Sequence, residues 1–202
     1  MKKMSIRDFV ILALLVGILL LMSATPLGYL NIGPLAITFN VIPVAIAAIA
    51  LGPRGGLIAG CVFGLTSFLQ CIGIGGTSAM GAILFNINPV LAFIQRFVPR
   101  ALDGFLLGYI YRFLRRRTRS SVACAATGFL SAFLNTLFFM TALVLLFGQT
   151  EYMQGLIAGR NILVFVCAFV GVNAIAEMAA ATILTGAIGV ALDKAGLLSR
   201  SR

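Results

Sequence analysis

Six apolar runs, parted only by glycine–proline breaks or by charge, leave this chain little choice of fold. They read at about 8–24, 35–52, 55–74, 89–114, 120–147 and 161–192. One crossing of a bilayer takes about 20 apolar residues, so six consume most of the 202 residues and match a hydrophobic fraction of 61%. Only 10% of residues are charged, against about a quarter in a soluble domain. The expectation is an all-α polytopic membrane protein, a single six-helix domain over residues 1–202. The second and third runs meet at Gly52-Pro53-Arg54-Gly55-Gly56, which predicts a tight hairpin. The last three runs exceed a straight crossing and must tilt, kink or protrude. Lys2 and Lys3 before the run Phe9 to Met22 have the outline of a signal peptide, with cleavage conceivable near Ser23-Ala24-Thr25. Because the rest of the chain is equally apolar, a first spanning helix is the simpler reading.

Charge fixes the topology. The segment 72–88 is uncharged and rich in glycine, and is either a seventh span or an ordered loop. With six spans, Lys2, Lys3, Arg7, Arg54, the cluster Arg112, Arg115, Arg116, Arg117 and Arg119, and then Lys194, Arg200 and Arg202 share one side. That is twelve of the fifteen basic residues. The positive-inside rule then puts both termini in the cytoplasm. A seventh span at 72–88 would put the arginine cluster outside, so 72–88 is read as a loop. The net charge of +10 is therefore topological, and a nucleic-acid partner is not expected.

Several chemistries are excluded. The chain has no histidine, which removes His-based metal sites and general bases. Cys61, Cys71, Cys124 and Cys167 are far apart, with no CxxC pair, and read as small hydrophobes. Five scattered acidic residues give no carboxylate cluster for a metal-dependent transferase, and no lysine lies mid-membrane for a Ser-Lys hydrolase. No enzyme, no metal and no cofactor is expected. No internal repeat of the kind common in secondary transporters is evident.

Ionisable groups within a span are costly and mark functional sites. In the fourth span Arg96, Arg100 and Asp103 share one helical face, and Pro99 among them should free the Gln95 carbonyl. The sixth span carries Asn173 and Glu177 four residues apart, and the fifth carries Asn135. Thr38 and Asn40 precede Pro43 in the second span, and Gln70 ends the third. At ~1.5 Å per residue, Arg96 lies roughly 10 Å from the outer ends and Asn135 and Asn173 roughly 18 Å. Asn40 and Gln70 read as shallower, and Arg100, Asp103 and Glu177 as central or deeper. An outer set (Arg96, Asn135, Asn173, Asn40, Gln70) suits a ligand, with Arg96 able to clamp a carboxylate bidentately. Arg100 suits an ion pair with Asp103 or Glu177 that holds helices together. Gly56, Gly60 and Gly64 form a four-residue ladder for close helix packing, and Ala13 with Gly17 is a small-residue pair on the first helix.

These residues carry a family resemblance. Ile42-Pro43-Val44, Leu51 through Gly56, Gly60 through Phe68, Asn88-Pro89, Arg96 through Gly104, Asn135-Thr136 and Asn173 through Glu177 together resemble the substrate-binding S component of an energy-coupling factor (ECF) vitamin transporter. The pantothenate type is the nearest likeness, and S components for riboflavin or folate, or a stand-alone small-solute transporter or channel, are the alternatives. The resemblance implies a prokaryotic plasma-membrane protein with a vitamin site near the outer surface, covered by loops at about 25–34, 72–88 and 148–160. Arg96, Asn135, Asn173, Asn40, Gln70 and Glu177 become the candidate binding residues. It also implies docking, through Ala13 and Gly17 of the first helix, to a transmembrane coupling subunit with two cytoplasmic ATPases. The chain has no Walker motif, so ATP would be hydrolysed by those partners.

Overall fold

A computed structural model describes residues 5–25, 28–31, 36–159 and 161–198. Lys2, Lys3, Arg160, Arg200, Arg202, part of the 25–34 loop and the side chain of Cys167 lie outside the described residues. Among those described, the chain forms α1 (Ile6–Ala24), a hairpin of β1 (Tyr29–Asn31) and β2 (Ala36–Thr38), α2 (Val41–Leu51), α3 (Pro53–Leu69), a 3-10 turn at Gln70–Ile72, α4 (Ala79–Ile87), α5 (Pro89–Arg117), α6 (Ser120–Phe147), α7 (Glu151–Ile157) and α8 (Ile162–Lys194). Four helical segments, Ile6–Ala24, Pro53–Ile72, Ser120–Phe147 and Asn173–Lys194, are long and apolar enough to cross a membrane on their own. Large apolar side chains such as Phe9, Leu14, Leu21, Val98 and Leu145 remain exposed, as expected where lipid is the solvent. The chain is a multi-pass, helical membrane protein.

Two elements depart from the expected spans. The second run, read as helix over 35–52, is a strand at Ala36–Thr38 before helix begins at Val41. Pro43 explains the start. Its missing N–H is harmless only in the first turn, where helix donors have no intrahelical acceptor, and Pro43 occupies the third helical position. The hairpin pairs Tyr29 with Thr38, Leu30 with Ile37 and Asn31 with Ala36, a small addition to an otherwise helical fold. The third run, read over 55–74, begins at Pro53 and ends in the 3-10 turn, with Gly73 at φ 81° stopping it. The 72–88 loop holds α4, whose 9 residues span only about 13 Å at 1.5 Å per residue.

α2 is 11 residues long, and Val41 through Ala50 are all buried. It is the central post of the bundle, which is why its sequence, VIPVAIAAIAL, is apolar on every side. Leu19, Ala59, Phe63, Ala132 and Ala181 from four surrounding helices share a core with its Val44 and Ala47. Gly52 alone joins α2 to α3, at φ 73°, a backbone conformation costly for any residue with a Cβ. The guanidinium of Arg112 lies over this turn. Nearby, Arg115 pairs with Asp193 at 3.6 Å and Arg7 Nη2 donates to the Gly196 carbonyl at 2.7 Å. The basic α2–α3 and α5–α6 turns and both ends of the described chain therefore gather at one end of the bundle. The hairpin, α4 and α7 gather at the other.

The glycine ladder is used internally. A Cβ on Gly56 would collide with the Gly104 carbonyl, one on Gly60 with the Arg100 carbonyl, and one on Gly64 would sit 2.9 Å from the Phe97 Cα. α3 and α5 thus pack backbone to backbone. Gly17, by contrast, has nothing within 4 Å of where a Cβ would stand. Gly60→Ala should cost about 1–3 kcal/mol through this overlap and lower the thermal midpoint of the detergent-solubilised protein by several degrees. Gly17→Ala should leave it unchanged; equal midpoints for the two variants would contradict the packing.

Candidate functional site

α5 carries the charged face of the site. Asn88 caps its start, its side-chain oxygen accepting from the Val90 and Leu91 N–H groups, both at 3.1 Å, while Pro89 takes the first helical position, which its fixed φ suits. Arg96, Arg100 and Asp103 fall on one face as expected, and each is less than 7% exposed. Arg96 Nη1 donates to Ser67 Oγ on α3 at 3.4 Å and Nη2 to Ser78 Oγ, the N-cap of α4, at 3.0 Å. Arg100 Nη1 turns back to the Arg96 carbonyl at 2.8 Å, one residue along from the Gln95 carbonyl that Pro99 leaves without its helical donor. Both guanidinium groups lie over the ring of Phe139, at 5.3 and 5.0 Å, and Arg100 also covers Phe63 at 4.7 Å. A π face attracts a cation away from water, so two aromatic rings and two hydroxyls replace hydration around this pair. Asp103 and Glu177 are both within electrostatic reach of Arg100.

α8 meets the hairpin through Glu177, whose Oε1 accepts from the Thr38 N–H of β2 at 2.6 Å. With α2 starting at Val41, the Thr38 backbone sits level with Glu177, two residues before Asn40. Asn40 is fully buried at the N-terminal end of α2, close to where a Gly28 side chain would begin. Asn173 lies one turn from Glu177 and is half-buried, and Asn135 lies one turn from Phe139 and is buried. Among the described residues, both ends of the Asn40 and Gln95 amides, Asn135 Oδ1, Asp103 Oδ1 and Thr38 Oγ1 have no hydrogen-bond partner in the protein. Buried polar atoms almost always have one, and in an apolar interior each unmade bond costs about 1–3 kcal/mol. Unmet donors and acceptors in the same apolar body as a buried cation pair suit a polar, partly anionic small molecule.

Gln70 stands apart from this group. Its Nε2 donates to the Ser23 carbonyl at 3.0 Å, and Ser23 Oγ donates to Thr66 Oγ1 at 3.2 Å, so Gln70 ties the end of α3 to α1. Ala13 is exposed and Gly17 half-exposed on the outward side of α1. Gln95, Ser67, Ser78, Phe63 and Phe139 escaped the sequence reading as site residues. For Ser78 a signal existed, a serine ahead of the 79–87 helix, but it pointed only to a cap. No group of three or more His, Cys, Asp or Glu side chains that could hold a metal ion occurs among the described residues, and Cys61, Cys71 and Cys124 are free thiols.

An apolar helical bundle that buries Arg96, Arg100, Asp103 and Glu177 suits a membrane solute-binding protein. The chain matches the family described as "ECF transporter, substrate-specific component" over residues 6–189 and belongs to it. It is 30% identical over 211 residues to the "Pantothenic acid transporter PanT" of Lactococcus lactis subsp. cremoris, covering 96% of this chain and 98% of that protein. It is also 30% identical over 203 residues to the "Pantothenate transporter PanT" of Leuconostoc mesenteroides subsp. mesenteroides, covering 95% and 96%.

The Thr38–Glu177 bond yields a test. Glu177→Gln keeps an acceptor for the Thr38 N–H and should leave the thermal midpoint within about 2 °C of wild type. Glu177→Leu strands that donor, at about 1–3 kcal/mol, and should lower the midpoint by roughly 3–9 °C. Equal midpoints for the two would show that the bond holds nothing.

Proposed function

We propose that this chain is the substrate-capturing subunit of an ECF-type importer, that its vitamin is pantothenate, and that it spans a prokaryotic plasma membrane six times with both termini cytoplasmic. The observation that carries the ligand assignment is Arg96, a buried guanidinium held by two serine hydroxyls beneath the loop elements. Pantothenate has a carboxylate at one end, a central amide, and two hydroxyls at the other end. Its carboxylate pairs with Arg96. The amide and hydroxyls then pair with groups drawn from Asn40, Asn135 and Asn173, and with the remaining oxygen of Glu177. Gln70 contributes by holding α3 to α1 beneath the 72–88 loop. The relatives named for pantothenate match this chain over nearly its full length, which supports the same ligand here.

In this reading the basic end of the bundle faces the cytoplasm, because arginine and lysine are retained on that side, and the hairpin, α4 and α7 cover the outward-facing site. α2 spans only about 16 Å for its 11 residues, so the hairpin dips into the membrane. Irregular backbone is tolerated there only where it is buried in protein or lines a cavity. Delivery inward requires a transmembrane coupling subunit and two cytoplasmic ATPases. Ala13 and Gly17 offer a low-relief strip on α1 for the coupling subunit, and nucleotide hydrolysis belongs to the partners. The S component itself then needs no cofactor.

Calorimetric titration of the purified protein with pantothenate tests the site. Arg96→Ala should weaken binding tenfold or more, since a hydrogen bond to a charged group contributes about 1.5–3 kcal/mol and 1.4 kcal/mol is a factor of ten. Asn135→Ala should weaken it about three- to tenfold. Undiminished affinity in both variants would overturn the assignment.

A further inference from the structure

The hydroxyl of Ser78 does two jobs at once. As the N-cap of α4 it accepts from the Gly81 N–H at 3.2 Å, and from the side it accepts from Arg96 Nη2 at 3.0 Å. Gly81 makes room for this junction. A Cβ there would stand 2.9 Å from Arg96 Nη2, 2.9 Å from Ser78 Oγ and 2.8 Å from Cys71 Sγ. α4 is otherwise seated by Met80 and Leu84, which share a core with Ala92 of α5, Met140 and Leu143 of α6 and Met153 of α7. One hydroxyl therefore links an element of the 72–88 loop to the buried cation of the site.

We infer that Ser78 is a positioning residue for anion recognition, coupling the seating of α4 to carboxylate binding at Arg96. The inference rests on the reading of Arg96 as the carboxylate site. A hydroxyl oxygen has two lone pairs, and here one serves the helix and the other the guanidinium. With Nη2 held by Ser78 and Nη1 by Ser67, the plane of the guanidinium is fixed, and a two-pronged contact with a carboxylate depends on that plane. If α4 lifts, Arg96 loses one of the two hydroxyls that orient it. By linkage the reverse holds equally: a carboxylate that prefers the oriented guanidinium favours the seated helix by the same factor.

Two measurements test this. Ser78→Gly removes the hydroxyl yet forfeits only a few tenths of a kcal/mol of capping, so the helix should survive. Its affinity for pantothenate should fall about tenfold, while its affinity for pantothenol, the alcohol analogue without the carboxylate, stays at the wild-type value and Ser78→Thr restores pantothenate binding. An equal loss for both ligands, or no loss, would reduce Ser78 to a helix cap and overturn the inference. The second measurement needs no ligand: amide hydrogen exchange across residues 79–87. Arg96→Met should speed exchange there, and adding Ser78→Gly should speed it no further, because both changes break the same link. Unchanged exchange in Arg96→Met, or additive effects, would overturn the coupling even if the wild type bound neither ligand, a result that would separately remove the pantothenate reading.

Discussion

The approach of α3 to α5 determines where the charge in this molecule sits. Gly56, Gly60 and Gly64 present bare backbone to Gly104, Arg100 and Phe97, and the antiparallel register that follows delivers the next side chains of α3 to the next of α5. Phe63 arrives under Arg100 and Ser67 beside Arg96. Held further apart, the two guanidinium groups would lose an aromatic face and a hydroxyl in an interior where an unsupported cation is costly. The ladder is thus a packing device whose consequence is electrostatic.

A second constraint comes from α2. Its burial on every side makes it the axis of the bundle, and its shortness leaves the chain unfinished in the middle of the molecule. The hairpin completes it, anchored by the Glu177 carboxylate on the Thr38 N–H. Irregular backbone, orphaned amides and a pair of arginines then occupy one region, each tolerable because the others are there. That arrangement suits a protein of the substrate-specific ECF family, which must hold a polar solute inside an apolar body.

Much of this was legible in the sequence, for reasons particular residues make plain. The fifth run, read as 120–147, coincides with α6, because an arginine cluster precedes it and Gly148 follows. The segment 72–88, read as a loop from the charge asymmetry, contains the short helix α4, which the sequence reading did not foresee. The internal use of the glycine ladder was also expected from its spacing. The start of α2 was read too early: Pro43 marks it, but the mostly apolar run 35–52 hid that its first residues pair with β1. Phe139 was hidden among 16 phenylalanines, as composition cannot say which ring faces a guanidinium. Ser78 went unread, because its partner Arg96 lies 18 residues away.

The central claim is that the buried polar nest around Arg96 selects a small carboxylate, pantothenate, over vitamins recognised mainly by stacking. Native mass spectrometry of the purified protein, equilibrated with an equimolar mixture of pantothenate, riboflavin and folate, addresses it most directly. The account predicts a single adduct at the mass of pantothenate. A riboflavin or folate adduct in its place, or no adduct at all, would contradict it.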